Sequence, residues 1–108
     1  MSINLNDEIT SSFLNKKCII RTSTAGVFFG LLIQKKGDEI ILQDARRLWY
    51  WKCVNEISLS SVAKYGICHD ESKIPSAVDL IWLQAIEIIP CTEGAIQSIE
   101  NAPPASKD

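Results

Sequence analysis

A single histidine, a single methionine and four scattered cysteines leave this chain poor in the residues that hold metals or act as nucleophiles. Cys18, Cys53, Cys68 and Cys91 form no Cys-x-x-Cys pair, which excludes a zinc knuckle and a redox dithiol. They read as free thiols, mostly buried, as cytosolic cysteines commonly are. The sole histidine, His69, has Cys68 and Asp70 beside it in sequence, where side chains do not converge, and it reads as solvent-exposed. Paired carboxylates and a Cys-His arrangement at motif spacing are also missing, so the expectation is a protein that is not an enzyme and uses neither metal nor cofactor. No stretch approaches the roughly 20 apolar residues of a membrane span. The first residues are polar and acidic, unlike a secretory or transit peptide, so residence in the cytoplasm is expected.

What remains is an ordinary globular composition, 46% hydrophobic and 22% charged over 108 residues, enough for one domain with one core. Residues 1–100 read as a single small-barrel domain. Residues 101–108, rich in Pro, Ala and Ser, read as a flexible C-terminal tail. The net charge of −2 hides a strong asymmetry: residues 16–52 carry an excess of about five cations and residues 53–108 an excess of about five acids. That polarity suits an anionic ligand on the first half, head-to-tail association of copies, or simply a solvated surface.

Local chemistry divides the chain further. Asn6 or Asp7 can cap a short helix to about Leu14, with Ile9, Phe13 and Leu14 as its apolar face. Strands are expected over 18–22, 27–34 and 39–43, joined by a small polar turn at Ser23 to Gly26 and by a turn at 35–38 in which Gly37 supplies the positive φ. Both faces of the second strand are apolar, which suggests a closed barrel, and Gly30 in its middle would allow sharp bending. Ser58 can cap a helix from Leu59 to Tyr65 that ends at Gly66. A polar loop over 67–78, a strand from Leu80 to Ile89, and a last helix capped by Thr92 complete the pattern.

The segments Ala25 to Leu32, Gly37, and Glu39 to Ala45 together resemble the first motif of Sm-like proteins: a Gly before the second strand, a Gly within it, and Leu-x-Asp-Ala ending the third. The resemblance implies a small, strongly bent, mainly β barrel of Sm-like or SH3-like kind, with short N-terminal, inserted and C-terminal helices. It also implies five strands, with free edges that pair between subunits into a ring. The turn at 35–39 lacks the Asn of that family's RNA pocket, and no Arg-Gly follows the last strand. A second resemblance spans nearly the whole chain. Arg21-Thr22-Ser23, Asp44 to Trp51 and Ala85 to Thr92 are similar to a family of small proteins from tailed phages and prophages, which implies a host-cell cytoplasm as the setting.

The basic and aromatic run Arg46 to Lys52 is the most informative segment. Extended, it would set Arg47, Trp49 and Trp51 on one face and Arg46, Leu48, Tyr50 and Lys52 on the other, one face able to stack on a base and pair with a phosphate. Packing of Trp49 or Trp51 in the core, with Arg laid over it, is the competing arrangement. Arg21, Ser23, Thr24 and Gly26 could add hydroxyl and N–H donors, and Thr92 at a helix start could add another. An ordinary N-cap is the alternative for Thr92. Cys91 beside it is a candidate low-pKa thiol, and Glu87 is expected to pair with Arg21, Arg46 or Arg47.

The ligand-binding candidates are thus Arg21, Ser23, Thr24, Gly26, Arg46, Arg47, Trp49, Trp51 and Thr92. The leading expectation is a non-catalytic, homo-oligomeric phage protein capturing a small anionic nucleotide-type ligand, such as a host defence signal. An Sm-like module for RNA or single-stranded DNA is one alternative. An inhibitor that binds a host protein through Trp49, Trp51 and Trp82 is the other.

Overall fold

The computed structural model describes residues 5–54 and 58–105. Four antiparallel strands, β1 (Lys17–Thr22), β2 (Val27–Lys36), β3 (Glu39–Arg47) and β4 (Val78–Pro90), close into a barrel in that order. Three α-helices accompany them among the described residues, α1 (Leu5–Phe13) before β1, α2 (Leu59–Tyr65) between β3 and β4, and α3 (Glu93–Glu100) after β4, with one 3-10 turn at His69–Glu71. The fold is a mainly β, small bent barrel with N-terminal, inserted and C-terminal helices. Where the Sm-like resemblance implied five strands, β4 is one continuous strand of 13 residues. Its first half pairs with β3, from Gln84↔Glu39 to Val78↔Ala45, and its second half pairs with β1, from Ala85↔Thr22 to Pro90↔Cys18.

Closure of so few strands depends on bulges, each of which adds a residue and turns the following side chains to the opposite face. On β3, three steps from Gln43 to Arg46 match two steps from Leu31 to Phe29. Asp44 takes the left-handed conformation there at φ 52°, a region that Asp tolerates better than most residues. Because of this extra residue, Ala45 follows Ile40 and Leu42 into the barrel interior while Arg46 turns outward. Gly30 faces the bulge: a Cβ there would stand 3.1 Å from the Gln43 carbonyl oxygen and 3.2 Å from Ala45 Cα. A second bulge, at Ile86 on β4, moves the inward positions from Leu83 and Ala85 to Ile88.

Two cores result. Cys18, Ile20, Phe28, Leu32, Ile40, Leu42, Ala45, Leu83 and Ala85 fill the barrel, and Phe13 and Leu14 pack against them from α1. Ile9, expected on the same apolar face, is 51% exposed, because the helix meets the barrel only through its last turn. Asn15, at φ 64°, ends that helix, and its N–H donates to the Leu32 carbonyl at 2.7 Å. The capping expected at Asn6 or Asp7 lies outside the described side chains. The second core lies on the outer side of the barrel, where Ile19, Phe29 and Leu48 meet Val62 and Ala63 of α2, Ile99 of α3, Ile67 and Ile74.

The helix ends follow local chemistry closely. Ser58 accepts a bond from the Ser61 N–H at 3.1 Å, and Gly66 closes α2 at φ 92°. Thr92 caps α3 by accepting from the Ala95 N–H at 3.2 Å. The tail expected over 101–108 is instead packed through residue 105. Ala102 is buried, Pro104 bridges Ile74, and the Ala105 N–H donates to the Ile74 carbonyl at 2.9 Å. Residues 106–108 lie outside the described residues.

Candidate functional site

Arg46 was expected to face a ligand, and the structure assigns it elsewhere. The bulge at Asp44 turns it outward beneath α3, where it is 7% exposed. Nε donates to the Pro75 carbonyl at 2.9 Å, Nη2 to Ile74 at 2.8 Å, and Nη1 to Ile99 at 2.8 Å and Ala102 at 2.9 Å. A planar fork of donors is suited to gathering carbonyls from separate segments, because their geometry is fixed in advance. Burial lowers its pKa from the ordinary value through desolvation. Arg46 is therefore a fastener of the C-terminal segment, not a ligand contact.

Arg47 lies on the opposite side of the strand. Its guanidinium stands 4.3 Å from the centre of the Phe28 ring, its cross-strand partner, and Nη1 donates to the Ala25 carbonyl. The β1–β2 turn beside it is organised by Thr22, a residue the sequence reading passed over. Its hydroxyl accepts from the Ala25 N–H at 2.9 Å and donates to the Gly26 carbonyl at 2.8 Å, a local side-chain turn whose signal is a Thr ahead of a small-residue loop. Gly26 sits at φ 92°, and Ser23 and Thr24 are exposed at the tip. Arg21 is engaged with Glu87, its register partner across β1 and β4, at 3.3 Å.

The run from Arg46 to Lys52, read as one extended segment, is divided: Arg46 and Arg47 end β3, and the strand stops there. Leu48 drops into the outer core, held by its N–H donating to the Val27 carbonyl at 2.9 Å, and the chain bends at Trp49. Arg47, Trp49 and Trp51 consequently do not share a face. Trp51 is half-buried against the outer core, as the competing arrangement held, but the arginine expected over it lies on Phe28 instead. Trp49 is 71% exposed and Tyr50 59% exposed.

The bend brings these two neighbouring rings to one cleft of about 340 Å³ with Lys73. Tyr50 and Lys73 are fixed by a reciprocal bridge, the Lys73 N–H donating to the Tyr50 carbonyl at 2.6 Å and the Tyr50 N–H to the Lys73 carbonyl at 3.2 Å. Tyr50 belongs to the basic and aromatic run but was not among the ligand candidates, and Lys73 carries no sequence signal, since their pairing joins distant segments. Lys52 nearby is held by Glu71 at 2.7 Å, a hydrogen bond that raises its pKa.

Thr92 has both hydroxyl functions engaged, accepting from Ala95 N–H and donating to the Lys64 carbonyl at 2.8 Å, so it is a cap and not a ligand contact. Cys91 is likewise no activated thiol. Burial pushes its pKa up to about 12 and that of Cys18 up to about 11. His69 is exposed, with Nε2 2.7 Å from the Ser98 carbonyl oxygen. All four cysteines are free, Cys18 and Cys53 fully buried.

The candidate surface therefore reduces to two regions: the Trp49–Tyr50–Lys73 cleft, and the outer face of β4. Along β4, Val78, Leu80 and Trp82 occupy alternate positions with exposures of 49%, 61% and 55%, and Ile86 at the bulge is 57% exposed. Trp82 Nε1 donates to Glu39 at 3.3 Å, and beside it Gln34, Lys36 and Ile41 line a shallow depression. No helix among the described residues is long and apolar enough to cross a membrane.

No curated protein and no solved structure matches the chain. A family model described as a domain of unknown function, DUF6948, matches residues 15–99, which takes in all four strands, α2 and most of α3. The chain belongs to that family.

Proposed function

We propose that this chain is a non-catalytic binding protein that works as an assembly of identical copies and holds a small anionic, nucleotide-type ligand. The observation that carries the reading is the outer face of β4. A barrel this small has little reason to expose Val78, Leu80, Trp82 and Ile86 on one strand unless something covers them, since burying each such side chain is worth about 1.5–3 kcal/mol. β4 pairs with β3 through one edge of its first half and with β1 through the other edge of its second half. Among the described residues no strand lies along the remaining edge of Val78 to Leu83. A second copy carries the same unpaired edge and the same apolar row, so two copies satisfy one another. The exposed aromatic residues with a lysine support the ligand class, and the resemblance to tailed-phage proteins supports sequestration of a host signal as the role.

Size-exclusion chromatography with light scattering, followed by native mass spectrometry with a pool of nucleotides, tests this. The expected result is a discrete oligomer retaining nucleotide adducts, which becomes monomeric in the Leu80→Ser, Trp82→Ser double variant. A monomer at high micromolar concentration, or a variant that assembles unchanged, overturns the assembly; an oligomer without adducts overturns the ligand class.

A further inference from the structure

We propose that the cleft between Trp49, Tyr50 and Lys73 is the ligand site, and that it takes a nucleoside monophosphate, its base against the Trp49 and Tyr50 rings and its phosphate on Lys73. This deepens the reading of the chain as a nucleotide-type binder and rests on it. The argument begins with the bend at Trp49. Neighbouring residues in an extended strand point to opposite faces, yet these two rings line one cleft because the strand ends at Arg47 and the chain turns.

The reciprocal backbone bridge between Tyr50 and Lys73 then holds the two residues directly opposite each other, which starts both side chains from the same face before any ligand arrives. Both rings are largely solvent-exposed, so each offers a face for stacking, worth about 1–3 kcal/mol per base.

The count of available cations sets the ligand's size. Arg46 is buried on four carbonyls, Arg47 lies on Phe28 and Ala25, Arg21 is paired with Glu87, and Lys52 is paired with Glu71. Lys73 makes no ion pair among the described residues. Among the described residues, Lys73 is the one cation lining this cleft, which matches one phosphate group, whereas a strand of nucleic acid needs a row of cations along its backbone. A cleft of about 340 Å³ sits at the small end of ligand sites, which run from roughly 300 to 1,000 Å³.

The test is titration of the full chain with the four common nucleoside monophosphates, with adenosine, and with inorganic phosphate, read by tryptophan fluorescence and calorimetry. At least one monophosphate should quench and bind, with adenosine and phosphate each about tenfold weaker or more, as loss of one of two contacts implies. Trp49→Ala should remove the binding; Lys73→Gln should weaken the monophosphate and leave adenosine unchanged; Arg47→Gln should change neither. Trp49 and Lys73 are exposed and Arg47 is half-buried, and an unchanged melting temperature confirms intact folding. Monophosphate binding that survives both Trp49→Ala and Lys73→Gln overturns the site while leaving the nucleotide reading standing. Absence of binding to every monophosphate overturns the monophosphate assignment, and the nucleotide reading falls with it only when the pooled nucleotides also leave no adduct. Tighter binding of a short single-stranded oligonucleotide, lost steeply in salt, overturns the single-phosphate assignment.

Discussion

Arg46 and Ala102 are joined by a 2.9 Å hydrogen bond from the guanidinium Nη1 to the carbonyl oxygen, linking the end of β3 to the chain beyond α3. The same nitrogen also holds Ile99, and the other two hold Ile74 and Pro75. One side chain thereby ties three segments together over the outer core.

Replacing it is expected to be the most damaging single change in the basic segment. Arg46→Ala removes four charged hydrogen bonds, individually worth about 1.5–3 kcal/mol, although Ile74 keeps the Ala105 N–H and Ile99 the Ala102 N–H as donors. We expect a loss of about 3 kcal/mol or more in urea unfolding. Arg46→Lys should recover only part, because a single ammonium cannot reach four fixed acceptors. A loss below about 1 kcal/mol for Arg46→Ala would show that the C-terminal segment does not depend on this fastening.

The two glycines at positions 30 and 94 should respond to alanine with opposite signs. At Gly30 the new Cβ meets backbone on β3 at 3.1–3.2 Å, so the bulge itself must yield, at a cost of about 1–3 kcal/mol. At Gly94, inside α3, nothing lies within 4 Å, and the gain in helix propensity should stabilise by about 0.4–1 kcal/mol. Melting temperatures of the two variants check both signs.

The buried thiols make stability depend on alkaline pH in a defined direction. In the unfolded chain a thiol ionises near pH 8.5–9, whereas folding holds Cys18 at about 11 and Cys91 at about 12. Between those limits the folded state retains more protons than the unfolded one, so stability falls as pH rises. It is fully present below about pH 9, declines through the range from 9 to 12, and then levels off. Unfolding midpoints at pH 8 and pH 10 should diverge less in the Cys18→Ala, Cys91→Ala double variant than in the natural chain. Equal divergence would remove the thiols as the cause.

Legibility in the sequence followed the range of the interactions. The caps at Ser58, Gly66 and Thr92 were readable because a cap and its partner lie within one helical turn. The strand cores were readable from alternation, and their ends were not. β3 was expected to stop at Gln43, yet it runs to Arg47, because Asp44 in the left-handed region lets the ladder continue past an extra residue. That same residue defeated the reading of the basic run. Alternation counted from Arg46 assumed a regular strand through Lys52, and both the bulge before it and the bend at Trp49 break the count. Arg46 looked like a phosphate contact because its true partners are carbonyls, which any residue supplies and no side-chain pattern betrays. Exposure of the β4 face was legible only in hindsight: an alternating apolar strand reads the same whether a partner or the protein's own core covers it.

The division of β4 between two neighbours also governs when this protein becomes safe from its own surfaces. As the chain emerges from a ribosome, the β1–β2–β3 meander is complete by Arg47, but the strand that seals β3 and joins β1 begins only at Val78. During that interval Ile40 and Leu42 sit beside an open sheet edge with no native cover. The nascent chain, more than the finished barrel, is where chaperones have reason to engage it.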